Sequence, residues 1–143
     1  MKRLLIGILL LSAVLTASGQ DRLGEIASRI STDRILVDYS CTVSGEVPVM
    51  FKGTVLLQDD CYCMKGNGLE IYCNGGTRWT LDREAKEAYI EPANGLEEIM
   101  QYYESITDLV ISNVRYMPKS EDLGAFTFST SALDSSWIVT DLR

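Results

Sequence analysis

The run Gly53–Pro92, GTVLLQDDCYCMKGNGLEIYCNGGTRWTLDREAKEAYIEP, decides the fold. Asp59-Asp60, Gly66-Asn67-Gly68, Asn74-Gly75-Gly76 and Asp82-Arg83-Glu84 are clusters of residues that tolerate tight or positive-φ geometry. Between them lie Thr54 to Gln58, Cys61 to Lys65, Leu69 to Cys73, Thr77 to Leu81 and Lys86 to Glu91. Extended runs of this length, punctuated at this spacing, predict an antiparallel meander. Three-residue loops would place Lys65 opposite Leu69, Cys61 opposite Cys73 and Cys73 opposite Thr77. One face would then collect Cys61, Cys63, Leu69, Ile71, Cys73, Trp79 and Leu81, and the other Tyr62, Glu70, Tyr72, Arg78 and Thr80. Such an apolar face must be covered.

Two helical stripes offer that cover. Leu23, Ile26, Ala27 and Ile30 recur at helical spacing within Asp21 to Ser31. After Pro92, Asn94 and Glu97 resemble a capping box, and Leu96, Ile99, Met100 and Tyr103 form a second stripe. Further strands are expected at Ile35 to Val43, Leu109 to Tyr116, Ala125 to Ser129 and Trp137 to Leu142, with a helical turn at Ser131 to Leu133. Pro48 cannot donate to a ladder, which suggests an edge there, and Gly53 suggests a bulge or bend. The fold class expected is α+β, a curved antiparallel sheet with short helices over one face.

The 143 residues and 46% apolar content suit a single domain. Residues 1–19 carry the three parts of a secretory signal peptide: Lys2-Arg3, the apolar run Leu4 to Leu15, and the small residues Ala17-Ser18-Gly19. Cleavage before Gln20 would leave 20–143 as the mature domain, and the expected location is the bacterial periplasm. Removing Lys2 and Arg3 leaves 11 basic residues against 20 acidic, a net charge of −9. An acidic chain without a basic cluster argues against nucleic-acid partners and anionic headgroups.

No histidine is present, which excludes Ser-His-Asp and Cys-His catalysis and histidine-bound zinc. Carboxylates at Asp59, Asp60 and Asp82 sit on turns, where they ordinarily shape the turn. The chain is therefore expected to be no enzyme, with no cofactor and no metal. Four cysteines, Cys41, Cys61, Cys63 and Cys73, have two readings. In an oxidising compartment the register would allow a Cys61–Cys73 disulfide; equally, all four serve as small apolar inward groups.

The order helix (Arg22 to Ile30), strand (Ile35 to Val43), GxVxL-type strand from Gly53, and the run IYCNGGTRWTLDREAKEAYIEP resembles LolA-type periplasmic lipoprotein carriers. Asn74-Gly75-Gly76, Trp79, Leu81-Asp82 and Tyr89-Ile90 occupy the places of that family's Gly-Trp-Tyr hairpin pattern. The family's basic residue after the strand matching Thr54 to Leu57 is replaced by Gln58-Asp59-Asp60, and the C-terminal part is shorter.

The resemblance implies an unclosed β-barrel whose concave apolar face is covered by helices and takes lipoprotein acyl chains or another lipid. It further implies an inner-membrane lipoprotein-releasing transporter as donor and an outer-membrane acceptor, with the carrier a monomer. The lining residues expected are Cys63, Leu69, Ile71, Trp79, Leu81 and Ile90 on the sheet, with Leu23, Ile26, Ile30, Leu96, Ile99 and Met100 on the helices. The competing reading is a non-catalytic module of envelope assembly or protein interaction, with a filled core.

Overall fold

The computed structural model describes residues 17–93 and 106–143. Among them are one α-helix, α1 (Ala17–Arg29), and eight strands: β1 (Asp33–Val43), β2 (Val49–Gln58), β3 (Cys61–Gly66), β4 (Leu69–Cys73), β5 (Thr77–Asp82), β6 (Glu87–Pro92), β7 (Ile106–Pro118) and β8 (Ile138–Asp141). They form a single sheet in the order β7-β1-β2-β3-β4-β5-β6-β8, and its two outermost strands do not pair to close it. The pairings from β7 through β6 are antiparallel, those from β2 to β6 as the meander predicts, but β8 joins β6 in parallel, so the sheet is mixed. The predicted second helix around Leu96, Ile99 and Met100 falls outside the described residues.

The register corrects the expected faces. The first loop is the two-residue turn Asn67-Gly68, with Gly66 opposite Leu69. Both central residues have positive φ, 52° and 77°, the type I′ geometry that Asn-Gly favours because its twist matches that of the flanking strands. One residue fewer in the loop turns β4 over. The next loop contains four residues, Asn74 to Thr77, between Cys73 and Arg78. Asn74 Oδ1 accepts from the backbone N–H groups of Gly76 (3.0 Å) and Thr77 (2.9 Å), which shapes that loop. The second slip cancels the first beyond β4. Trp79 and Leu81 therefore keep their predicted side, while Leu69, Ile71 and Cys73 exchange places with Glu70 and Tyr72.

The same register aligns Leu36, Leu56, Cys63, Tyr72, Trp79 and Ile90 on one face. Ile35, Leu57, Tyr62, Cys73, Arg78 and Glu91 lie on the other. Helix α1 covers the second of these faces. Its Leu23 and Ile26, with Ile30 just past its last residue, bury against Ile35, Val37 and Leu57, flanked by Val55, Tyr62, Ile111, Val114 and Tyr116. Full burial of each such side chain contributes about 1.5–3 kcal/mol.

Local contacts fix the helix end. Asp59 N–H donates to Ile30 O at 2.9 Å, and the Arg29 guanidinium bonds Asp33 at 2.6 Å while stacking 3.7 Å over the Tyr116 ring.

The opposite face is covered by the chain after β7. Phe126 is fully buried there against Cys61, Cys63, Tyr72, Leu81 and Ala88, with Phe128, Leu133 and Trp137 around it. Ala125 to Ser129 was expected to be a strand. Instead Gly124–Phe126 is a 3-10 turn that aims Phe126 into the sheet, and a second such turn, Thr130–Ala132, follows where a helical turn was predicted. Among the described residues two covers therefore lie on opposite faces, α1 on one and the segment around Phe126 on the other.

Pro48 precedes β2, whose first residues, Val49 to Lys52, pair with β1 alone, so this end of the strand lies at a local edge as expected although β2 is interior from Gly53 onward. Gly53 carries no bulge: its pairings with Tyr39 and Gly66 are continuous. The reason for glycine is contact, since a Cβ on Gly53 would lie 1.8 Å from Lys65 O, and one on Gly66 2.5 Å from Lys52 O. The bulges lie on β7, where register shifts against β1 accompany positive φ at Asp108 (54°) and Asn113 (53°). Gly53→Ala and Gly66→Ala are each expected to lower unfolding free energy in urea by about 2–3 kcal/mol. Gly76→Ala, whose Cβ meets only Asn74 Oδ1 at 3.7 Å, should stay near the parent value.

Candidate functional site

The structure divides the predicted lining residues between the two faces. Leu23, Ile26 and Ile30 belong to the cluster under α1; Cys63, Trp79 and Leu81 belong to the cluster under Phe126, and Ile90, 5% exposed, shares their face. Leu69 and Ile71 lie on the helix side because β4 is turned over. Leu96, Ile99 and Met100 fall outside the described residues. One cavity lined by the whole described set is therefore not what the fold builds.

The two faces differ in how completely they are filled. Under Phe126 the sheet residues Cys61, Cys63, Tyr72, Leu81 and Ala88 are all buried. On the helix side, the buried patch beneath α1 runs on into a row of partly buried apolar residues. Val55 is opposite Met64 and Met64 opposite Ile71, with Leu69 two residues before Ile71 on the same strand. The row then meets Thr80 and Tyr89. Beside it Arg78 bonds Glu91 at 2.6 Å, with side chains 13% and 29% exposed, so the polar end of this face holds an ion pair largely withdrawn from water.

Val55, Tyr62 and Met64 were absent from the predicted lining. Asn67-Gly68, read as a two-residue I′ turn, would have pointed to Met64, because it makes Met64 the partner of Ile71.

The anchor of the opposite cover is a buried amide. Gln58 is 1% exposed. Its Oε1 accepts from Arg34 Nε at 2.9 Å and from the Ser120 backbone N–H at 3.1 Å, and its Nε2 donates to Ser120 O at 2.7 Å. Arg34 also donates to Asp122 O at 2.8 Å, and Lys119 pairs with Asp59 at 2.7 Å. The chain is thus fastened to the β2–β3 corner immediately before Phe126 enters the core.

The cysteines are free thiols, all buried. Tyr62, not Cys61, is opposite Cys73, so Cys61 and Cys73 belong to opposite faces and the register that suggested their disulfide is not formed. Burial pushes all four thiols up, Cys61 to about 11 with the neighbouring Asp60 carboxylate adding to the effect. Such groups remain protonated at neutral pH and are poor nucleophiles. Tyr62 is likewise raised to about 12, chiefly by burial.

The acidic turns act as turns. Asp82 Oδ1 accepts from the N–H groups of Glu84 (3.1 Å) and Ala85 (3.0 Å), and Asp59 pairs with Lys119. Among the described residues no group of three or more His, Cys, Asp or Glu could hold a metal ion, and no helix is long and apolar enough to cross a membrane.

No family model and no curated protein matches the chain.

Two outcomes follow from this chemistry. Gln58→Ala strands the Ser120 N–H and C=O and should cost about 1–3 kcal/mol, with limited proteolysis cutting first between residues 119 and 137. The raised thiol values stabilise the fold fully below the ordinary thiol value of 9.0, and that contribution is lost as pH rises through about 11. Urea midpoints should therefore fall between pH 9 and 11, and a thiol reagent at pH 8 should react only after denaturant is added.

Proposed function

We infer that the protein is a non-catalytic carrier of acyl chains, binding them on the helix-covered face of its sheet. The observation that carries this reading is the partly buried row Val55–Met64–Ile71, with Leu69, which extends the patch under α1 instead of ending with it. An aliphatic chain laid along that row leaves water for an apolar wall, at about 0.8 kcal/mol for each methylene buried. Methionine suits a surface that accepts flexible chains, since its unbranched thioether side chain adapts to the shape against it.

Helix α1 rests on the same patch through Leu23 and Ile26, joined by Ile30 just beyond its end. A cargo that also used Ile35, Val37 and Leu57 would compete with those side chains, and uptake and release become a shift between two occupants of one face. This needs no nucleophile, metal or cofactor.

The resemblance to LolA-type carriers supports the same reading and gives it a setting. The signal-like residues 1–19 would send the chain to the periplasm, and the cargo would be the acyl chains of lipoproteins moving from a releasing transporter to an outer-membrane acceptor. The solid cluster under Phe126 favours the alternative, a filled interaction module, for the other face only.

Titration of delipidated protein with the fluorescent fatty acid cis-parinaric acid tests the proposal. Saturable uptake is expected, with Met64→Glu and Ile71→Glu each weakening it about tenfold or more, the scale of placing a charge against an apolar chain. Ser135→Glu, at an exposed position remote in sequence from the row, should bind as the parent does. Absence of saturable uptake by the parent protein overturns the carrier reading.

A further inference from the structure

The two outer strands of the sheet differ in how they face a neighbour. β7 is long, 13 residues, but broken by the two bulges at Asp108 and Asn113, a device that spoils an edge for pairing. β8 is short and unbulged, with no lysine or proline within it. It also exposes apolar side chains: Ile138 is 64% exposed, Val139 43% and Leu142, just beyond the strand, 56%.

The bonds to β6 show which backbone groups remain open. Ile138 N–H donates to Lys86 O at 2.9 Å and Leu142 N–H to Ile90 O at 2.8 Å, within a parallel register that sets Ile138 beside Glu87 and Thr140 beside Tyr89. In a parallel ladder alternate residues bond to the same neighbour. The amide and carbonyl groups of Val139 and Asp141 therefore point away from β6. Among the described residues β8 has no second neighbouring strand.

We propose that β8 pairs antiparallel with β8 of a second copy of this chain, about a two-fold axis through Thr140. The occupant follows from self-complementarity. With Thr140 opposite its own copy, Val139 meets Asp141 of the partner and Asp141 meets the partner's Val139. These are the two residues with open backbone groups, and each pair exchanges both N–H···O bonds, giving four bonds in all.

The same operation sets Ile138 against the partner's Leu142 and Leu142 against the partner's Ile138, on one face of the joined sheet. Directly opposed apolar side chains are what stabilise adjacent strands. No other register centred within 138–142 both sets the two open residues against each other and sets Ile138 against Leu142. The run Ile138-Val139-Thr140 is wholly β-branched, which suits an extended pair. The contact is short compared with the roughly 800 Å² per partner of a stable complex, so the dimer is a weak one, dissociating at roughly micromolar or higher concentration. It replaces the monomer that the family resemblance implied.

Two measurements on the full chain test this. Sedimentation velocity should show the mass doubling as concentration rises from about 1 to 500 μM. Ile138→Lys, at a side chain already 64% exposed, should keep the chain at monomer mass over that range. In the second measurement, Thr140→Cys would bring two thiols together across the axis, where opposed Cα atoms lie about 4.5 Å apart, within disulfide range. Mild oxidation should cross-link it to a covalent dimer at least tenfold faster than Thr107→Cys on the β7 edge. Monomer mass at every concentration, or cross-linking of Thr140→Cys no faster than of Thr107→Cys, overturns the pairing.

Discussion

The two-residue turn at Asn67-Gly68 governs this structure, because side chains in a sheet alternate with a period of two and a loop shorter or longer by one residue inverts everything after it. Positive φ at both residues makes Gly66 the partner of Leu69 and puts Tyr72 behind Cys63. Asn67 then adds a second constraint through its side chain. Its Nδ2 donates to Met50 O at 2.7 Å and its Oδ1 accepts from Lys52 N–H at 3.3 Å, where β2 runs on past the end of β3. One residue thus sets which face β4 shows and gives the bare side of β2 a partner.

From that parity the two covers follow. Tyr72 completes a wall that Phe126 and its neighbours pack against, while Ile71 and Met64 extend the wall on which α1 lies. Gln58 holds the first of these arrangements at its corner, because an amide buried this deeply cannot readily exchange the Ser120 backbone for water. The sheet is consequently asymmetric. Among the described residues, one side is a core closed by rings around Phe126, and the other joins α1 to a patch that continues into partly buried apolar residues.

Much of this was legible in the sequence. The strands Cys61–Gly66, Leu69–Cys73 and Thr77–Asp82 stand within a residue of where the turn clusters placed them, and the stripe Leu23, Ile26 and Ile30 is the buried side of α1. The faces were harder to read. Alternation alone cannot choose between a two- and a three-residue loop at Gly66-Asn67-Gly68, and the second slip at Asn74 to Thr77 restored Trp79 and Leu81 while leaving Leu69, Ile71 and Cys73 inverted. Phe126 was misassigned because Ala125 to Ser129 alternates like a strand. Contacts distant in sequence, Gln58 to Ser120 and Arg34 to Asp122, hold the chain where Phe126 turns into the sheet. The parallel approach of β8 had no local signal at all, since it depends on where the chain emerges after crossing the sheet.

The bulged strand β7 has a consequence for how the chain must assemble. The pairings from β1 to β6 join strands that follow one another directly, whereas β7 pairs with β1, bringing Ile35 to Tyr116. Local hairpins close quickly and distant pairings slowly, because the intervening loop must first lose its freedom. Until residues 106–118 arrive, α1 lacks the side of its nest formed by Ile111, Val114 and Tyr116. The meander is thus the early part of the fold, and the seating of α1 waits for a strand made after every strand of the meander.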